Sequence, residues 1–488
     1  MSDAVVAQPS KSSQVELVRG LGLADATLLV IGSMIGSGLF IVSADVARQL
    51  NSPGGLVLTW LVTAFLTIVG ALAFGELAAM MPKAGGMYVF LREAYNPLCG
   101  FLYGWTVFLV IGSATIAAVA IAFAKFTGVF LPWFSSTNWL WKVGTIGPYT
   151  IGLHTQNLLA ILSIVVLTWI NSRGLRSGAV AQNLLTIAKV VGIVVLIVFG
   201  LSLGRNAQAI TTNFNGFWRN LDWSGNTVIL IAVAMVGPLF AAFAWENATF
   251  TAAETRDAKR NLPLCLLMGT GVVTTLYLLT NFSYLTTLPL AGDPPGGDVL
   301  ARGIQYAAED RVGAAAGEVI FGAAGAYFMA AAIMISTFGC NNGLILSYAR
   351  VYYAMARDKL FFGRLGDLNP KTHTPNAALF LQGIWASLLT LTGTYSDLLD
   401  YVIFAQMLFY VLTIAALFVL RRTQPQAERP YKAFGYPVLP ALYIAVSALI
   451  EVCILVYKPR FTWPGLILVA LGIPVYFLWR RSAAREAL

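Results

Sequence analysis

Charge is scarce in this 488-residue chain: Asp, Glu, Lys and Arg make up 11% of it, where a soluble globular protein carries about a quarter. Only two histidines occur, His154 and His373, and four cysteines, Cys99, Cys265, Cys340 and Cys453. Neither type is grouped at metal-ligand spacing, which argues against a zinc site or a disulfide framework; no cofactor or metal is expected. An intramembrane enzyme needs clustered His, Cys or paired acids at depth, and the sequence has no such cluster near its weak helical points. No G-x-x-x-x-G-K-[ST] loop is present, so an ATP-driven machine is excluded. Neither rings of repeated charge nor filter-like carbonyl loops suggest a channel. A secretory leader is not expected either, because the first fifteen residues are polar and the first apolar segment is too long for one.

What is abundant is apolar length. Hydrophobic residues make up 58% of the chain and its mean hydropathy is +0.74. Apolar runs of about 20 residues recur throughout, long enough to cross a bilayer as helices. They are continuous rather than alternating, which predicts an all-α membrane protein and not a barrel. Twelve spans are predicted, at 25–49, 54–81, 98–127, 153–171, 177–203, 227–253, 262–288, 316–350, 376–394, 398–420, 437–457 and 462–480. The net charge of +9 could suggest nucleic acid. Its distribution says otherwise: of 31 Lys and Arg, twenty-one fall in the loops of one face, eight in those of the other, and Lys125 and Lys189 inside spans. By the positive-inside rule both termini are cytoplasmic, which suits an even number of spans in the plasma membrane. The stretches 204–226 and 289–315 are then external loops.

Two spans contain flaws. The first reads IGSMIGSGLF at 31–40, placing Gly32, Gly36, Ser37 and Gly38 mid-span, although a glycine inside a helix costs about 1 kcal/mol against alanine. The sixth reads VGPLFAAFAWENATF at 236–250, with Gly237 and Pro238 followed by Glu246 and Asn247 at lipid depth. Five spans separate the two, so the helices run antiparallel. Flaws at matching positions of two inverted halves point to a transporter binding site and to a repeat of spans 1–5 and 6–10, with 11 and 12 appended. Unwinding exposes N–H groups at one half-helix start and C=O groups at another half-helix end. The first suits a carboxylate and the second an ammonium, so two facing breaks suit a zwitterion, an amino acid. The competing reading is a small-residue notch for helix packing, which Gly32-xxx-Gly36 fits.

Six ordered motifs resemble the amino acid–polyamine–organocation superfamily: GSMIGSGLF (32–40), GELAAMMPKAGGMYVFLREAY (75–95), LFAAFAWENATFTAAETRDAKRNLP (239–263), STFGCNNGLILSYARVYYAMARDKLF (336–361), NPKTHTPNAALF (369–380) and ERPYKAFGYPVLP (428–440). The likeness is greatest to bacterial members of its L-type and basic amino acid/polyamine branches. The resemblance implies a twelve-helix inverted-repeat fold, alternating access and an amino acid substrate. The implied divisions are a cytoplasmic segment 1–24, a first repeat 25–203, an external loop 204–226, a second repeat 227–420, the last two helices 421–480 and a tail 481–488. It further implies that the substrate carboxylate meets the amides of Met34, Ile35, Gly36, Ser37 and Gly38. The amino group meets carbonyls near Phe240, Ala241 and Phe243. Phe240 takes the aromatic gate position, Trp245 the tryptophan after the break, and Phe404 and Met407 the side-chain pocket. L-type members commonly read YGGWNN where this chain reads AFAWEN at 242–247, counted from Ala242; Phe243 and Ala244 in place of two glycines should shrink the pocket. Heteromeric members use an external cysteine between helices 3 and 4 to bind a glycoprotein; the loop 132–152 has none, so no disulfide-linked subunit is expected.

Lys189 falls near the centre of span 5, and an ionisable residue at that depth is a functional candidate by default. In the family it occupies the place of sodium in sodium-coupled relatives, facing the helix 1 break with Ser336 or Thr337. It is either a proton carrier or a fixed charge that replaces the ion; sodium coupling is disfavoured in both cases. Glu246 either accepts a substrate ammonium or relays a proton, or else caps the broken helix. Lys125 and Glu76 lie nearer span ends and read as interfacial, and the run 254–260 as a solvated cytoplasmic loop that could contribute to an inner gate. The expected activity is proton-coupled symport or exchange of neutral amino acids, with a cationic amino acid or polyamine acting through Glu246 as the alternative.

Overall fold

Continuous apolar runs leave the backbone one economical way to satisfy its polar groups in lipid, the helix. In the computed structural model, which describes residues 17–146, 149–222, 224–391 and 395–485, these runs are helices. Ten are long and apolar enough to cross a membrane among the described residues, from Leu23–Leu50 to Thr462–Arg480. Three shorter apolar helices, Gly225–Ala241, Val312–Phe321 and Asn376–Leu389, accompany them.

The helix Leu175–Leu201 shows how such a protein is organised. Val180, Leu184, Ile187, Val191, Val194 and Val198 are exposed, whereas Gln182, Thr186, Lys189, Ile193 and Leu196 are buried. Both sets recur at helical spacing, so this helix is amphipathic in the reverse sense of a soluble one. Its apolar face is left for lipid and its polar stripe turns inward, where other helices supply partners.

Several expectations need correction. The predicted span 316–350 is two helices, Val312–Phe321 and Ala323–Arg357, because Gly322 adopts φ +70° and turns the chain between them. The ninth ends at Leu389 rather than 394. The stretches read as plain loops carry helices Ala207–Phe214 and Val299–Arg302, and 132–152 holds much of an antiparallel hairpin, Trp139–Ile146 against Tyr149–His154.

Glu76 is not interfacial. It is fully buried, accepts from Arg421 at 2.6 and 2.9 Å and from the Ala433 amide at 2.6 Å, and lies 3.3 Å from Arg429. Arg350, at the predicted end of span 316–350 and one of the twenty-one cations assigned to one face, lies inside Ala323–Arg357 and pairs with Glu254 through two bonds of 2.8 and 2.9 Å, both residues buried. The run beginning at Glu254 is therefore anchored at one end. There the Leu21 amide also donates to the Glu254 carbonyl and the Arg256 amide to Leu21.

Candidate functional site

The first flaw is a true break. Half-helix Leu23–Met34 stops, Ile35–Ser37 leave the helical path, and Gly38–Leu50 resumes. The second is wider: Gly225–Ala241 ends, Ala242–Glu246 form turns, and a short helix Asn247–Phe250 follows. The two breaks touch. A Cβ on Gly38 would lie 2.6 Å from the Ala241 Cβ and 2.7 Å from its Cα, so a side chain at 38 would force the chains apart. This is the close approach that requires glycine there.

Stopping a helix leaves its last carbonyls without internal partners, and at the first break five carbonyls in a row are served from three other helices. Lys189 Nζ donates to the carbonyls of Gly32 and Ile35 at 2.7 and 2.8 Å. Cys340 Sγ donates to Ser33 at 3.0 Å. Ser336 Oγ reaches Ile35 at 3.1 Å and Gly36 at 3.3 Å. The Tyr277 hydroxyl lies 3.0 Å from the Met34 carbonyl and 2.9 Å from that of Ala241, so one phenol joins both breaks. Among the described residues Lys189 has no carboxylate within ion-pair distance; its ammonium sits at the negative end of a helix dipole. Thr337 turns instead to its own helix, donating to Ile333 and Met334.

Between the breaks is a cavity of about 10 Å³ lined by Met34, Gly36, Ser37, Gly38, Phe240, Ala241, Phe243, Ala244 and Cys340, among others, room for roughly one water. Phe240 and Phe243 stack over it, with centroids 6.4 Å apart and planes 9° from parallel. Thr115 lines it from Pro97–Thr127, one turn past a π-helical stretch at Val107–Ile111.

The other sequence candidates, Trp245, Glu246, Phe404 and Met407, are not among the residues that line this cavity. Trp245 packs edge-on to Phe74 at 4.7 Å and stacks on Tyr410 at 5.2 Å. Phe404 lies against Gly465, and Met407 is buried near it on Tyr395–Thr423. Glu246 is fully buried. It makes no side-chain cap on the helix that follows; its carboxylate accepts from Tyr410 at 2.6 Å and from Gln406 at 3.2 Å. A second polar cluster thus lies beside the break. Sequence reasoning missed Tyr277, Cys340 and Tyr410. A single phenol among nineteen tyrosines carries no local signal, whereas Cys340–Asn342 in an apolar helix was a visible polar cluster.

Comparison with known proteins shows the family. The family described as amino acid permease matches residues 21–478. The chain belongs to the amino acid permease family. The permease is 29% identical to the human b(0,+)-type amino acid transporter 1, over 97% of its own length and 90% of that protein. It is also 29% identical to the Serine/threonine exchanger SteT of Bacillus subtilis, over 96% and 98% of the two chains. The human Large neutral amino acids transporter small subunit 2 is equally similar, over 98% and 83%. With its apolar helices and this family, the permease is an integral, multi-pass membrane protein that transports amino acids.

Proposed function

We propose that the permease is a sodium-independent exchanger of neutral amino acids in the plasma membrane, working by alternating access. It would use twelve helices, with inverted repeats at 25–203 and 227–420, the last two helices at 421–480, and cytoplasmic segments 1–24 and 481–488. The excess of Lys and Arg on one face supports cytoplasmic termini. The observation that carries the proposal is the contact of the two breaks at Gly38 and Ala241, a shared point about which two halves can rearrange.

In this reading the substrate carboxylate takes the amides at Gly36–Gly38, at the start of the outer half-helix. The ammonium takes carbonyls near Phe240, Ala241 and Phe243, at the end of the first half of the sixth span. Phe240 closes over the substrate. The space of about 10 Å³ is far below that of an amino acid, so binding must move Phe240 or Phe243; Phe243 favours a small side chain. Lys189 acts as a fixed tie in the place of an ion, and exchange then needs no coupling ion. The name of SteT, an exchanger of serine and threonine, agrees. The Glu246 carboxylate is engaged by Tyr410 and Gln406, which supports neutral over cationic substrates. The loop 132–152 has no cysteine, and the proposal includes no disulfide-linked subunit.

Uptake of labelled serine into proteoliposomes tests this. Exchange requires internal amino acid and ignores an inward proton gradient. Uptake into empty vesicles driven by that gradient would overturn it in favour of proton symport. Stronger competition by arginine or spermidine than by threonine would overturn the neutral specificity.

A further inference from the structure

A much larger cavity is lined by residues away from the breaks. It is a groove of about 650 Å³ formed by Arg92, Asn96–Leu98, Asp358–Leu360 and the 476–480 stretch of the last helix. On the orientation proposed above, it opens at the cytoplasmic membrane surface. Its floor begins with a helix end. Ala323–Arg357 closes with the Lys359 amide on the Ala356 carbonyl and the Leu360 amide on Met355. Lys359 has φ +58°, the left-handed position that usually takes glycine at such an end; here it carries an ammonium. The N-terminus of the helix at Pro97 lies on the same groove, its first turn capped by Asn96.

The charges in the groove are unequal in their commitments. Arg92 is bound to Asp358 and Glu93, and Tyr88 donates to Asp358 at 2.7 Å. Lys359 and Arg480 also line the groove and, among the described residues, have no carboxylate within ion-pair distance. Three cations against Asp358 and the adjoining Glu93 leave one excess positive charge at a concave site. The opposite wall is apolar: Leu98, Leu360, Tyr476 and Phe477, with Phe477 half exposed on the lipid-facing helix. A soluble anion needs the cations alone. A phosphate attached to acyl chains uses both the cations and the apolar wall.

We propose that this groove binds the phosphate of an anionic phospholipid, with Lys359 and Arg480 holding the headgroup and Phe477 and Leu98 holding the start of the acyl region. Basic pockets between helices at the cytoplasmic face are suited to such headgroups. The site is remote from the breaks and joins the end of the Ala323–Arg357 helix, which carries Ser336 and Cys340, to the last helix. A lipid here would brace one helix of the site against the periphery.

The test reconstitutes the full chain in nanodiscs of phosphatidylcholine with one-tenth phosphatidylglycerol and counts, by native mass spectrometry, the phosphatidylglycerol retained on release. Two basic contacts at the membrane surface make the expected drop in K359A/R480A roughly thirtyfold. Leu98→Trp, which fills the groove and keeps its charges, lowers retention as well, and stands in should the double variant fail to fold. Lys83→Ala, a basic change outside the groove, does not. Titration of the detergent-solubilised protein with inorganic phosphate separates the sources. Weak phosphate binding indifferent to the double substitution supports the lipid, and tight phosphate binding lost in K359A/R480A overturns it in favour of a soluble anion. Equal retention in wild type, K359A/R480A and Leu98→Trp overturns the site altogether, whatever the uptake assays report.

Discussion

The two breaks are held in different ways. The first is held by polar atoms: Lys189, Ser336, Cys340 and Tyr277 occupy the carbonyls from Gly32 to Gly36. The second is held mainly by rings and turns, with Phe240 on Phe243 and Trp245 between Phe74 and Tyr410. Its one charge, Glu246, is tied outward to Tyr395–Thr423 rather than across the break. A hydrogen bond fixes position within a few tenths of an ångström, whereas aromatic contacts tolerate sliding. The first break is thus the stationary reference and the second the adaptable one, with Tyr277 joining them.

The sharpest way to break this comparison is to remove the charged tie. Lys189→Ala leaves the Gly32 carbonyl without a donor and reduces those serving Ile35, and a buried unsatisfied group costs about 1–3 kcal/mol; exchange should fall at least roughly tenfold, since 1.4 kcal/mol is a factor of ten. Glu246→Gln keeps an acceptor for Tyr410 and should stay within a few-fold. Equal losses in the same proteoliposome assay would show that the two breaks do not differ as argued.

Tyr277→Phe tests the link. The ring keeps its edge contact with Trp60 at 5.4 Å, but the Met34 and Ala241 carbonyls lose the one O–H they share. Exchange should fall by about threefold to tenfold at a net worth near 1 kcal/mol for such a bond, with binding and turnover both affected. An unchanged rate would mean that the breaks move independently.

Ala244 sharpens the contrast on the side of the second break. It has φ +69°, a conformation that costs an L-residue of this kind about 1 kcal/mol, stored where strain often marks function. Ala244→Gly should raise the thermal stability of the purified protein by up to about 1 kcal/mol, and widen the range of side chains exchanged. A lower melting temperature would show that the turn at 242–246 is not strained.

The smallest effect concerns the approach to the second break. Asp222 accepts from the Thr227 hydroxyl and from Ser224, whose hydroxyl receives the Thr227 amide at the start of Gly225–Ala234. These bonds, Thr227 first, push the Asp222 carboxyl down to about 2 from its ordinary 3.8. Because the folded value is depressed, its stabilisation is fully present above about pH 4 and is lost as pH falls toward 2. Asp222→Asn should flatten that part of the melting-temperature profile and leave pH 7 exchange unaltered. An unchanged acid limb would remove the cap as its cause.

Much of the site was legible because its cause is local. Gly36, Ser37 and Gly38 interrupt a helix wherever the chain goes, and Lys189 at lipid depth demands a partner in any fold. Phe243 and Ala244 follow the sixth-span flaw directly, and both line the cavity between the breaks. The rest was not legible because it depends on meeting. Tyr277 lies 243 residues from Met34 and 36 from Ala241. Glu76 lies 345 residues from Arg421 and 357 from Ala433, so a residue that reads as interfacial by depth is an internal anchor by contact. Thr337 and Ser336 are adjacent in sequence, yet only Ser336 faces the break; one residue is a rotation of about 100° on a helix.

By itself the sequence determined the solvent, the helical class and the two points where helices must stop. These follow from side-chain transfer energies and backbone propensities, which act residue by residue. Only the tertiary structure decided which donors serve the freed carbonyls, that Gly38 and Ala241 touch, and that Lys359 at the end of one helix and Arg480 of the last helix share a groove. Those are matters of distance between segments far apart in the chain. A buried polar group has a fixed demand for a partner, but which residue meets it is set by packing.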